Sequence, residues 1–136
     1  MKTLVCTVCC RDKLTEPGLI PARKRYLSKR IARVGFLADA AGFPFAILSG
    51  KYGLIDAEHP IPHYDKLMQP EEVDPLATAN AHYLVGRGIE RVIFLAADLE
   101  TDPRGKPYLA SIREGAKRAG VILEVIFIPP YPERLW

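Results

Sequence analysis

The sequence predicts an α/β domain, a small doubly wound (Rossmann-like) fold of three layers. Four short runs are rich in apolar and β-branched residues. Amphipathic stretches of helical length lie between them. The runs are continuously apolar rather than alternating, as parallel strands covered on both faces are. The expected element order is β-α-β-α-β-α-β. Right-handed crossovers leave few topologies, and four mostly parallel strands in the order 2-1-3-4 fit best. A chain of 136 residues supports one core, so residues 1–136 form a single domain.

Leu4 to Cys9 reads as the first, buried strand. A polar loop over residues 11–20 follows, with Pro17 and Gly18. Pro21 can open a helix at its first turn. That helix is expected to run to about Ala41 and close at Gly42. Phe45 to Leu48 is the second strand. The stretch 56–75 holds Pro60, Pro62, Pro70 and Pro75 among apolar residues, an ordered loop whose length suggests function. Leu76 to Arg87 is the second helix, with Glu71, Glu72 and Asp74 suited to its N-terminus. Arg91 to Ala97 is the third strand, Pro107 to Ala119 the third helix, and Val121 to Ile128 the fourth strand. Pro129, Pro130 and Pro132 forbid its continuation. Trp136 is an aromatic anchor for docking on the fold or on a partner.

Apolar residues make up 49% of the chain and charged residues 26%, which excludes a disordered chain or a disulfide scaffold. No apolar run approaches the roughly 20 residues of a membrane helix. The first residues only imitate a signal peptide, so a cytoplasmic protein is expected. The net charge of +3 is too mild to demand a nucleic-acid partner. Its distribution is uneven, however. Arg23, Lys24, Arg25, Lys29, Arg30 and Arg33 recur along the first helix, either as a solvated face or as a footprint for phosphate backbones. Cys6, Cys9 and Cys10 are three, in one apolar segment, which fits reduced buried thiols better than a disulfide. A closed zinc site needs a fourth ligand that no later cysteine supplies. No metal and no cofactor are therefore expected.

In a doubly wound sheet, ligands bind beyond the carboxyl ends of the strands, at the switch point. Here the polar and special residues gather on that rim, whereas the opposite rim carries plain turns. After the first strand come Cys9 and Lys13. After the second come Ser49, Gly50, Lys51, Tyr52 and Gly53, then His63, Tyr64 and Asp65. Ser49 to Gly53 offers amides, a hydroxyl and an ammonium to an anion. It is not a Walker loop, and no G-x-G-x-x-G is present. Cys9, Lys13 and Asp65 are the candidates for covalent or acid–base work. Cys9 could act as a thiolate if Lys13 lowers its pKa. Tyr52 and Tyr64 could shape or stack a pocket.

The run Ile47-Leu48-Ser49-Gly50-Lys51-Tyr52-Gly53-Leu54-Ile55, followed by Pro62-x-Tyr64-Asp65, resembles an uncharacterised bacterial and archaeal family. Its pattern is L-S-[AG]-x-Y-G-L-[LI], then I-x-P-Y-D. Cys9 and Lys13 match its Cys-x-x-x-Lys element, and Ala22, Tyr26 and Ser28 loosely match a later one. The resemblance covers about residues 4 to 68. The Ser-Gly-x-Tyr-Gly-Leu part is also similar to the longer YaaA peroxide-stress proteins, which are associated with DNA binding. A weaker likeness is to archaeosine synthases, which modify a deazaguanine base in tRNA. These resemblances imply a nucleotide or nucleic-acid context.

Three readings follow. The first is a domain that binds a nucleotide, modified nucleobase or nucleic-acid end at the carboxyl rim, with an enzyme acting on a nucleobase or glycosidic bond as one form of it. The second is a non-catalytic DNA- or RNA-binding protein using Arg23, Lys24, Lys29 and Arg30. The third is a metal or redox module built on Cys6, Cys9 and Cys10. A small, mostly parallel sheet also exposes edge strands, which suits a homodimer.

Overall fold

The apolar run at the start of the chain forms β1 (Thr3–Val8), every residue of which is buried. The computed structural model describes residues 1–136. After β1 the polar loop leads to a two-residue strand, β2 (Ile20–Pro21), and a single helical turn, α1 (Ala22–Arg25). Tyr26 then adopts an extended conformation and stops the turn. A second helix, α2 (Lys29–Ala41), begins at Ser28, whose Oγ accepts a hydrogen bond from the Ile31 amide. Such a cap satisfies one of the orphan amides of a helix start. Gly42, at φ 74°, closes α2 in the left-handed region. The expected single helix from Pro21 to Ala41 is thus two helices, split by the Ser28 cap.

β3 (Phe45–Ser49) returns parallel to β1 and turns sharply into β4 (Gly53–Asp56), which pairs antiparallel with it. β4 lies in a segment read as the approach to a long loop. That loop contains β5 (Pro60–Ile61), paired with β2 in a separate two-stranded ribbon. A 3₁₀ turn over Pro70–Glu72 precedes α3 (Val73–Gly86). Then come β6 (Arg91–Ala96), α4 (Lys106–Ala119) and β7 (Ile122–Phe127). The sheet has five strands in the order β4-β3-β1-β6-β7. This corrects the expected four-strand sheet. The four parallel strands follow one another as second, first, third and fourth, and β4 adds an antiparallel edge.

Strand register assigns the faces. Val5 pairs with Phe45 and with Ile93, and Thr7 with Ile47. These side chains share the face on which α2 lies, since Arg30 bonds Thr7 and Gly35 packs against Phe45. The other face carries Leu4, Cys6, Val8, Leu48, Val92 and Phe94, all buried under α3 and α4. Gly115 lets these two helices meet closely, because a Cβ there would come 2.6 Å from the Asn80 Cβ. Asn80 ties the layer to the sheet. Its Oδ1 accepts from the Leu54 amide and its Nδ2 donates to the Ser111 carbonyl. Only one crossover, through α2, goes to the first face. It packs on β1 and β3 and leaves β6 and β7 without a helix there. No helix is long and apolar enough to cross a membrane.

Candidate functional site

The carboxyl end of β1 runs directly into the site. Cys9 and Cys10 follow Val8, and the chain then turns outward through Arg11 to Lys13. Lys13 is fixed by a short antiparallel bridge to Tyr26, flanked by Leu14 N–H to Arg25 O and Leu27 N–H to Asp12 O. Its ammonium lies 4.7 Å from the ring centre of Tyr64 and donates to the Arg11 carbonyl at 3.1 Å. Ammonium over an aromatic face is an attractive arrangement.

A cavity of about 260 Å³ opens above Cys9. Arg11, Lys13, Lys66 and Arg104 bring four cations to its wall, and Asp65 is its one carboxylate. Lys66 is paired with Glu72 and Arg104 with Asp102. Tyr108 and Trp136 form an aromatic side, with ring centres 4.9 Å apart. The Trp136 indole N–H donates to Asp102 at 3.0 Å and so fixes the ring. A second cavity of about 250 Å³ shares Arg11, Lys13 and Asp65 and adds Asp12, Thr15, His63 and Tyr64.

The three residues read as catalytic, Cys9, Lys13 and Asp65, therefore line one cavity. Their states differ. Cys9 is buried, with its thiol pKa pushed up by desolvation. The Gly50 amide, the Lys13 charge and the Tyr108 hydroxyl pull it down without overcoming burial. The thiolate form is thus disfavoured in the unliganded protein. Cys10 is likewise pushed up by burial, to about 12.

The segment Ser49 to Gly53 proves to be a hairpin turn behind the cavity rather than an anion cradle. Ser49 is fully buried, and its Oγ accepts from the Lys51 and Tyr52 amides at 3.1 and 3.2 Å. Those amides are thereby spent inside the turn. Gly50 lies against Lys66, Met68 and Tyr108, where a Cβ would strike the Lys66 carbonyl at 2.5 Å. Gly53, at φ 72°, closes the turn. Lys51 is exposed, with its ammonium 5.3 Å from the Tyr52 ring. Tyr52 meets Tyr64 edge-on at 5.5 Å. Tyr64 is buried, and its hydroxyl bonds both Ser49 Oγ and the Tyr26 hydroxyl. It anchors its loop, and its edges are occupied. Lys13 lies over its ring, and Tyr64 forms part of the wall of the second cavity. His63 is exposed at the second cavity.

The basic run is also corrected. Arg25 is fully buried and donates to the carbonyls of Leu14, Glu16, Gly18 and Ile61. Arg30 is 1% exposed and bonds Thr7, the Val8 and Cys9 carbonyls, and Glu133. Arg23 is held by Asp39 and Glu58. Only Lys24, Lys29 and Arg33 of the six remain as exposed cations. Split helices and inward guanidinium groups leave no continuous basic face.

No group of three His, Cys, Asp or Glu side chains is placed to hold a metal ion. Cys6 points into the α3–α4 side of the sheet with its pKa raised by burial. The three thiols are free and do not make the donor set of the third reading. Sequence reasoning missed Lys66, Arg104 and Tyr108. Tyr108 gave no signal, being at helical spacing in an apolar face. Trp136 was marked as an anchor and forms part of the wall. No protein-family model, no curated protein and no solved structure matches the chain.

Proposed function

We propose that the protein binds a small anionic ligand with a planar ring, of the mononucleotide or modified-nucleobase class, in the cavity over Cys9. One observation carries this reading. Arg11, Lys13, Lys66 and Arg104 surround a pocket with one carboxylate, beside the Tyr108–Trp136 aromatic side. Arg11 and Lys13 have no carboxylate partner, so they are available to a phosphate or another anion. The half-buried Trp136 ring, backed by Tyr108, suits the flat face of a base, and stacking of this kind tolerates any base. The cavity lies beyond the carboxyl ends of β1, β6 and β7, where doubly wound sheets bind ligands. Its size suits one nucleotide rather than a dinucleotide.

The likeness of Ser49–Ile55 and Pro62–Asp65 to the uncharacterised family supports a shared pocket, since Gly50 packs behind Lys66 and Tyr108, Tyr64 lies under Lys13, and Asp65 lines the wall. In a form that acts on its ligand, Cys9 at the floor and Lys13 and Asp65 at the rim would meet the reacting atoms. The test is a melting-temperature and Trp136-fluorescence panel of nucleobases, nucleosides, mononucleotides and inorganic phosphate. A ligand that binds only the folded state raises the melting temperature by mass action. A mononucleotide or base is expected to raise it and to change the emission of the sole tryptophan. Silence across the panel at millimolar concentration would overturn the reading.

A further inference from the structure

The cavity over Cys9 does not stand alone. The second cavity, of about 250 Å³, shares Arg11, Lys13 and Asp65 with it. These three residues form the boundary between two spaces of nearly equal size. Chain order brings them together, because Arg11 and Lys13 leave the end of β1 and Asp65 comes from the loop after β5. Within the first cavity, Lys66 is held by Glu72 and Arg104 by Asp102. Arg11 and Lys13 are the two cations left without a carboxylate partner. The free positive charge therefore sits at the boundary.

The two spaces differ in chemistry. The first has the Tyr108–Trp136 rings and four cations against one carboxylate. In the second, Arg11 and Lys13 face Asp12 and Asp65, and Thr15 and His63 add a hydroxyl and an imidazole. Two acids against two bases leave little there to hold a further phosphate. Carboxylates accept hydrogen bonds, and the other two side chains can donate as well as accept. Such a set fits a group that carries several hydroxyls. Asp12 is fixed in place by Arg134, and its carboxylate keeps lone pairs to spare. A second base is a poor occupant. The one aromatic of this cavity, Tyr64, is buried with Lys13 over its ring, and it offers no open face.

We propose that the ligand is a nucleoside diphosphate sugar. Its nucleoside occupies the cavity over Cys9, its diphosphate meets Arg11 and Lys13 at the boundary, and its sugar fills the second cavity. This inference rests on the reading of the first cavity as a nucleotide site and extends it. Two unpartnered cations answer the two charges of a diphosphate esterified at both ends. The sugar then brings its hydroxyls to Asp12, Asp65, Thr15 and His63. A nucleic-acid strand fits less well. Its next residue would carry a base into a space without an open ring, and the exposed cations Lys24, Lys29 and Arg33 line neither cavity.

Calorimetric titration of the full chain tests it, comparing ADP-glucose, UDP-glucose and GDP-mannose with ADP, UDP and GDP. In at least one pair the sugar-linked form should bind roughly tenfold tighter, the gain of one or two net hydrogen bonds. That ratio should fall toward one in Thr15→Val and in His63→Ala. Both positions are exposed, and circular dichroism verifies the fold of each variant. Equal affinity within every pair, with the diphosphates binding, overturns this inference and leaves the nucleotide reading standing. A preference for the sugar-linked form that survives both substitutions puts the sugar outside the second cavity and overturns it too. So does a dinucleotide, ApA, that binds more tightly than every sugar nucleotide. Silence from all six compounds while a mononucleotide or base still binds overturns this inference alone. Silence from those as well overturns both.

Discussion

Arg30 and Glu133 form an ion pair at 2.7 Å, with side chains only 1% and 9% exposed. The same guanidinium donates to the Val8 and Cys9 carbonyls. One buried arginine therefore joins the end of β1, under the candidate site, to the segment that carries Trp136. Glu133 Oε2 is buried without a partner. Removing the acid would strand the charge of Arg30. Breaking such a pair by deleting one partner costs about 3–5 kcal/mol. Glu133→Ala should lower stability in urea by roughly that amount. It should also shift Trp136 emission to the red as the segment loosens. A loss below about 1 kcal/mol would show that the pair is not holding the segment.

The aromatic wall gives a second prediction. Trp136 stacks near Tyr108 and is fixed by Asp102. Base–aromatic stacking contributes about 1–3 kcal/mol per base, or roughly 5- to 150-fold in affinity. Trp136→Ala should weaken binding of a mononucleotide found in the panel by that factor. Arg11→Ala and Lys13→Ala should weaken it too, and flatten its dependence on salt, because they remove the charges that meet the anion. Calorimetric titration at two ionic strengths separates these effects. Equal affinity in all three variants would remove the ligand from this cavity.

Tyr64 behaves differently from the cavity residues. Its hydroxyl bonds Ser49 and Tyr26 in a buried network. Tyr64→Phe leaves those hydroxyls short of a partner, a cost of about 1–3 kcal/mol. The ring stays under Lys13, so ligand affinity should change less than twofold. Gly50→Ala acts on both counts. The new methyl would meet the Lys66 carbonyl and the Tyr108 hydroxyl. Stability should fall by about 1–3 kcal/mol through overpacking. Affinity should fall as well, because Lys66 and Tyr108 both line the cavity. Paired denaturation and binding measurements on the two variants check the contrast.

The sequence made the parallel strands legible because their apolar runs are continuous. It also placed Cys9, Lys13 and Asp65 on one rim, since chain order and the switch-point rule suffice for that. β4 was hidden because Gly53–Asp56 is four residues long and reads as the exit of a turn. The break at Tyr26 was hidden because Ser28 is an ordinary polar residue until its hydroxyl is seen capping α2. Arg25 and Arg30 misled for a related reason. Arginine is seldom fully buried, and the carbonyls around both, with Glu133 and Thr7 beside Arg30, offset the cost. Tyr108 and Arg104 join the site from an element far along the chain, a juxtaposition that no local pattern encodes.

The buried thiols and phenols give a prediction with a definite sign. Burial raises the Cys10 thiol from 9.0 to about 12 and also raises Cys6, Cys9, Tyr26, Tyr64 and Tyr108. Between those values the folded chain keeps protons that the unfolded chain has released. The unfolded state is then favoured as pH rises, by about 1.4 kcal/mol per pH unit for each proton retained. The contribution of these groups is complete below pH 9 and drains away as the pH climbs toward 12. Denaturation midpoints should therefore hold steady from pH 7 to 8.5 and fall steeply by pH 10.5. Cys10→Ala should make that fall shallower while leaving the neutral plateau in place. Thiol titration in the folded protein should match this, with slow alkylation of all three cysteines at pH 7.5 and rapid alkylation once the chain unfolds. Fast labelling of Cys9 in the folded, unliganded protein would contradict its protonated, buried state and return it to the role of a thiolate nucleophile.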